Sequence, residues 1–149
     1  MSIDEIIKTG FSSAQSRALV NVRITSNYIA TEQNKFMANF GLSMAQFNIL
    51  RILRGAKEPL TINIIKERMI EKSPNTTRLM DKLMEKNYIE RYGCKEDRRQ
   101  SFVQITEIGL ALLKNIDNQG FDLFLSANGL TVKEANQLSD LLDKFRSSF

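Results

Sequence analysis

Apolar residues recur at intervals of three and four along most of the chain, and at intervals of two in one short stretch. Residues 11–40 contain neither Pro nor Gly and space Phe11, Ala14, Ala18, Val22, Tyr28, Ile29, Phe36 and Phe40 as one long helix would. Gly10 sets off a short leading segment with Ile3, Ile6 and Ile7, and Gly41 ends the long helix. Ser43 with Gln46 then has the spacing of a capping box, and Leu42 with Phe47 that of a hydrophobic staple. The helix they open carries Phe47, Ile49, Leu50 and Leu53 and is expected to stop at Gly55.

Residues 60–109 change period. Thr61 is read as the N-cap of a short helix reaching about Met69, with Ile62, Ile65 and Met69 on its apolar face. Ser73 is read as the N-cap of a second helix, Pro74 in its first turn, running to about Lys86 with Leu79, Met80 and Leu83 inward. Asn87 suits a left-handed cap. Tyr88 to Arg91 reads as a strand, Lys95-Glu96-Asp97-Arg98-Arg99 as a charged tip, and Ser101 to Ile105 as the returning strand. Thr106 caps a further helix, which Asp117-Asn118-Gln119-Gly120 weakens or bends and Gly129 ends. Thr131 with Glu134 opens the last helix, whose Ala135, Leu138, Leu142, Phe145 and Phe149 form a seam that wants a partner helix.

The expected fold class is mainly α with a small β-hairpin wing. Two short helices followed by a hairpin with a basic tip can offer one helix to a DNA groove and a wing beside it. Among 149 residues, 42% are hydrophobic and 26% charged, as in a soluble globular domain. A net charge of +4 permits nucleic-acid binding without establishing it. Between Thr61 and Gln100 ten cations interleave with seven carboxylates, so placement matters more than total.

The absence of histidine removes Cys-His and Ser-His catalysis and the usual Cys/His zinc sites, and no glycine-rich phosphate loop is present. Neither an enzyme nor a metal or other cofactor is expected. No run of 18 apolar residues suggests a membrane span, and Met1 to Gly10 lacks the makings of a signal peptide. With one cysteine and no disulfide framework, a cytoplasmic protein is expected.

These residues resemble the MarR-type winged-helix transcriptional regulators. The resemblance rests on Thr61 to Arg68, Ser73-Pro74-Asn75-Thr76-Thr77-Arg78-Leu79-Met80-Asp81-Lys82-Leu83, Ile89-Glu90-Arg91, Asp97-Arg98-Arg99, and Ile105-Thr106-Glu107-Ile108-Gly109. The last is similar to the family's Leu-Thr-x-x-Gly after the wing. It implies a homodimer in which 1–40 and 107–149 supply dimerisation helices and 41–106 form the winged helix-turn-helix DNA-binding lobe. It also implies repression or activation at a near-palindromic operator in double-stranded DNA, often relieved by a small molecule, for which an aromatic or amphipathic effector is the candidate. Three departures stand out: no glycine in Met69-Ile70-Glu71-Lys72, Lys66 in place of a small alanine, and Asn87 in place of glycine.

Asn75, Thr76, Thr77 and Arg78 open the second helix, the end that meets base edges, where Arg favours guanine and Asn adenine. Lys72 and Lys82 suit phosphates, with Thr61, Ser73 and Lys95 as further DNA-contact candidates. Arg98 and Arg99 sit at the wing tip; by the family pattern Arg99 is the minor-groove candidate and Asp97 its brace. A solvated charged turn is the alternative there. For Arg91, phosphate contact and structural pairing are both open. Cys94, beside Lys95, is either a redox-active thiol or a small residue on a hairpin. Phe11, Tyr28, Phe40, Phe47 and Arg51 either line an effector pocket or belong to core and interface. A winged helix that binds a protein instead of DNA is the rival reading.

Overall fold

The computed structural model describes residues 1–72, 74–93, 100–126 and 129–149. They form two compact units, Met1–Lys114 and Asn115–Phe149. The first holds α1 (Ile3–Ile7), α2 (Ala14–Ala38), α3 (Met44–Ala56), β1 (Leu60–Thr61), α4 (Ile62–Arg68), α5 (Thr76–Glu85), β2 (Ile89–Gly93) and β3 (Ser101–Ile105). Then come α6 (Glu107–Asn118), α7 (Phe121–Ser126) and α8 (Val132–Arg146), α6 belonging to the first unit up to Lys114.

Side-chain caps start these helices where the pattern places them. Ser43 Oγ accepts from the Gln46 amide while Gln46 Oε1 accepts from the Ser43 amide, and Thr131 with Glu134 repeats the device. Two boundaries differ from expectation. Gly55 does not end α3, which runs to Ala56 and closes on Lys57 at φ 56°. The long helix begins at Ala14 because Ser13, extended at φ −160°, caps it. Near Gly120 the expected weakening is a complete break between α6 and α7.

The sheet has the order β1-β3-β2, both pairs antiparallel. Leu60 faces Val103 and Thr61 faces Phe102, so the residues that open α4 also form a third strand, which the helical reading of Thr61 passed over. Phe47, Ile49, Leu50 and Leu53 of α3 are buried in the first unit, as are Ile65, Met80, Leu83 and Val103. At about 1.5–3 kcal/mol per buried large apolar side chain, this cluster is the main stabiliser of the lobe.

At the base of the hairpin, α5 ends in a Schellman turn. The Tyr88 amide donates to Leu83 O at 3.0 Å and the Asn87 amide to Met84 O at 2.8 Å, with Asn87 left-handed at φ 59°. Thr106 then ties both sides together. Its amide donates to Tyr88 O at 3.0 Å, its hydroxyl donates to Asn87 O at 2.6 Å, and its Oγ1 accepts from the Gly109 amide at 3.1 Å. Gly109 is buried so tightly that a Cβ there would lie 2.3 Å from Tyr88 O and 2.7 Å from Ile105 Cγ1. Thr-x-x-Gly is therefore a cap plus a close backbone approach.

Gly109→Ala should destabilise the protein by about 1–3 kcal/mol in chemical denaturation, through overpacking. Gly55→Ala, at a helical site with nothing within 4 Å of the new Cβ, should instead stabilise by up to about 1 kcal/mol. Equal signs for the two substitutions would contradict the close-approach account.

Candidate nucleic-acid interface

α5 begins at Thr76, with Asn75 as its N-cap at φ −94° and ψ 14°. This corrects the expected start: Pro74 lies in the turn before the helix, and Ser73 is outside the described residues. The start is held from below. Thr76 is 1% exposed and its hydroxyl donates to Met69 Sδ at 3.6 Å, so Thr76 is an anchor and cannot read a base edge, contrary to expectation. Met80 and Leu83 continue the buried side, with Leu79 half-buried. Thr77, Arg78, Asp81, Lys82 and Glu85 are exposed, Arg78 and Lys82 standing one turn apart. Asn75 is exposed as well.

The turn from α4 to α5 works without glycine because no residue in its described part needs a left-handed backbone. Met69 leaves α4 in an extended conformation, φ −65° and ψ 136°. The next amide, that of Ile70, donates to Asn48 Oδ1 on α3 at 3.1 Å. Lys72 Nζ donates to Glu67 O at 2.8 Å and Lys66 O at 3.3 Å, capping the C-terminal end of α4. The ammonium expected on phosphate is thus engaged in holding the turn.

On the hairpin, Arg91 pairs with Val103 and its Nε donates to Ser101 Oγ at 2.9 Å. Structural pairing, one of the two readings of Arg91, is present, and the residue is exposed. Thr61, Asn63, Lys66, Thr77, Arg91 and Ser101 share one hollow of about 370 Å³. It joins the start of α4, the first turn of α5 and the hairpin strands at Arg91 and Ser101, and it places two cations beside the exposed face of α5. Sequence reasoning missed Asn63, Lys66 and Ser101 as site residues. The signal was the capping position of Thr61, which sets Asn63 and Lys66 within the next turn and a half. Cys94, Lys95, Asp97, Arg98 and Arg99 lie outside the described residues, and with them the brace, minor-groove and redox readings.

The five aromatic-pocket candidates are not alike in their surroundings. Phe47 is 1% exposed and belongs to the core, which corrects its assignment as a pocket wall; Arg51 lies over its ring at 5.7 Å. Phe40 is half-buried and pairs with Phe36 at 5.7 Å, while Phe11 is half-buried near the start of the chain. Tyr28, 60% exposed, borders a separate hollow of about 360 Å³ with Ile3, Ile6 and Ile24. Among the described residues there is no cluster of three metal-ligating side chains, and no helix long and apolar enough to cross a membrane.

Residues 42–101, from the approach to α3 through the hairpin, match the sequence profile of the MarR family. The regulator MhqR of Bacillus subtilis is 34% identical over 89 residues, 59% of this chain and 60% of its own length. A mutant MarR from E. coli complexed with operator DNA superposes with a TM-score of 0.74 at 25% identity, over 96% of each chain. Over residues 42–101 the chain is similar to the MarR family. SarZ of Staphylococcus haemolyticus is 28% identical over 79% of this chain and 80% of its own length. The chain spans about half to three-fifths of the length of three curated HTH-type regulators it matches. The chain combines the expected winged helix-turn-helix with a three-stranded sheet.

Within this lobe, the Asn48 bond to Ile70 makes a specific demand on the turn. Asn48→Ala should cost about 1–2 kcal/mol of stability and speed amide exchange at Ile70 more than in α3. Unchanged protection at Ile70 would mean that another group holds the turn.

Proposed function

We propose that this chain is a sequence-specific double-stranded DNA-binding transcriptional regulator that works as a homodimer. The observation carrying this reading is the solvent-facing side of α5, where Arg78 and Lys82 stand opposite buried Met80 and Leu83. Beside them, Lys66 and Arg91 line the hollow against the hairpin strands. A helix so presented fits a major groove, with Arg78 toward base edges and Lys82 toward phosphates. The operator complex of E. coli MarR supports the same class of partner for this chain.

Dimerisation is supported by what the single chain leaves bare. α2 spans 25 residues, of which only Met37 is buried, and α8 has no buried residue among its 15. Leu138 is 46% exposed and Leu141 64%, while Leu142 and Phe145 are half-buried, so the last helix leaves part of its apolar side in solvent. Isolated helices of this length are marginal in water, and burial against a second copy would stabilise them. In the dimer two copies of α5 would enter successive major grooves about 34–36 Å apart, at a near-palindromic operator. Repression relieved by a small effector follows from the resemblance alone, and no pocket is assigned to it.

Binding of purified protein to duplex selected from a random pool, measured across salt concentrations, tests the reading. Arg78→Ala should lose about 1–3 kcal/mol of discrimination at one base position. Lys82→Ala should weaken binding to every sequence and lower the salt slope by about 0.9. If neither changes affinity, the docking assignment is wrong; a flat salt dependence on random duplex would favour the protein-binding rival.

A further inference from the structure

We infer that Lys86 is a positioning residue for DNA recognition: its ammonium clamps the C-terminal end of α5 to the end of α2 and so fixes the tilt of the recognition helix. The inference rests on the DNA-binding reading above and adds a residue that touches no DNA. Lys86 is the C-cap of α5, its amide donating to Lys82 O at 3.3 Å. Its side chain leaves that helix and Nζ donates to Gly41 O at 2.6 Å, across 45 residues of sequence.

Gly41 closes the C-terminal end of α2. Two carbonyls at the end of α2 are taken by the backbone: Phe40 donates to Met37 O at 2.9 Å, Gly41 to Ala38 O at 3.0 Å and Leu42 to Met37 O at 3.2 Å. Gly41 itself is left-handed at φ 66°, and a Cβ there would come within 3.3 Å of Lys86 Nζ. Glycine at this position gives both the backbone turn and the room for the ammonium.

Helix C-termini carry partial negative charge, so two of them brought together repel unless a cation stands between. The other basic residues in the two last turns are committed elsewhere. Lys35 of α2 pairs with Glu32 at 2.6 Å, and Lys82 of α5 lies on the exposed face. Lys86 joins the two ends, by its backbone at one and its ammonium at the other.

The consequence is a lever. Arg78, Lys82 and Lys86 lie on one i, i+4 stripe, and Arg78 is about 12 Å along the axis from the clamp. A tilt of about 10° at Lys86 would move the attachment point of Arg78 by about 2 Å, beyond what a bidentate base contact tolerates. A free Lys86 at the end of that stripe would instead be one more phosphate contact, and this is the competing role the test must separate.

Lys86→Met and Lys86→Arg should be compared with wild type on a duplex selected by wild-type protein, on random duplex, and by amide hydrogen exchange without DNA. Clamping predicts that Lys86→Met loses about fivefold to tenfold in affinity for the selected duplex and keeps the wild-type salt slope. It also predicts faster exchange at both Asn87 and Leu42, with Lys86→Arg restoring affinity and exchange. A salt slope lowered by about 0.9 would overturn the inference by making Lys86 a phosphate contact. Unchanged exchange at Leu42, or unchanged affinity, would overturn it as well. If wild-type protein selects no duplex, the DNA reading falls, while the exchange measurement still decides whether Lys86 couples the two helix ends.

Discussion

The lobe depends on one close approach, the buried Gly109 backbone lying against the Tyr88 carbonyl. Tyr88 ends the Schellman turn of α5 and precedes β2, while Gly109 sits in the first turn of α6. Holding these two points together fixes where α5 stops, where the hairpin leaves and where α6 enters. Thr106 completes the approach, donating to the Asn87 carbonyl and accepting from the Gly109 amide, which packing would otherwise strand. A buried orphan at the Gly109 amide would cost about 1–3 kcal/mol, so cap and close contact work as one device.

From that base, presentation of α5 is a matter of what is held inside. Thr76, Met80 and Leu83 are drawn into the lobe, which leaves Thr77, Arg78, Asp81 and Lys82 in solvent. Asn48 and Lys72 fix the preceding turn by satisfying one amide and two carbonyls, and extended Met69 removes the need for glycine. The departures of the turn from its family pattern thus have a mechanism: hydrogen bonds from α3 and from Lys72 replace backbone flexibility. Two carboxylates, Asp81 and Glu85, stand on the same exposed side as Arg78 and Lys82. Such interleaving limits indiscriminate attraction to any polyanion and leaves selectivity to directed hydrogen bonds.

Stability is unevenly spread along the chain. The first unit has a packed core around Phe47, Leu50, Ile65 and Val103, whereas α2 and α8 bury little in a single copy. A chain arranged this way leaves its long helices with little burial of their own to stabilise them. Arg17 and Asp4 give α2 one local support; the guanidinium beside Asp4 holds that carboxyl below the usual carboxylate range. Above that lowered value the pair is charged, and the support is lost as pH falls through it.

Much was legible in residue order alone: the long helix and the two short helices before the hairpin, the capping boxes at Ser43 and Thr131, the left-handed Asn87, and the cap at Thr106. These are local, set by side chains that reach backbone groups three or four residues away, so a linear pattern carries them. Four features required the tertiary structure: Thr76 turned inward, Lys72 and Lys86 turned onto backbone carbonyls, and Leu60-Thr61 paired with β3. Each depends on a partner brought close by folding, and polar residues look alike in sequence whether they meet solvent, a ligand or a distant carbonyl. The physical reason is range: capping and periodicity act within a turn or two, whereas burial and long-range hydrogen bonding exist only after the chain has packed.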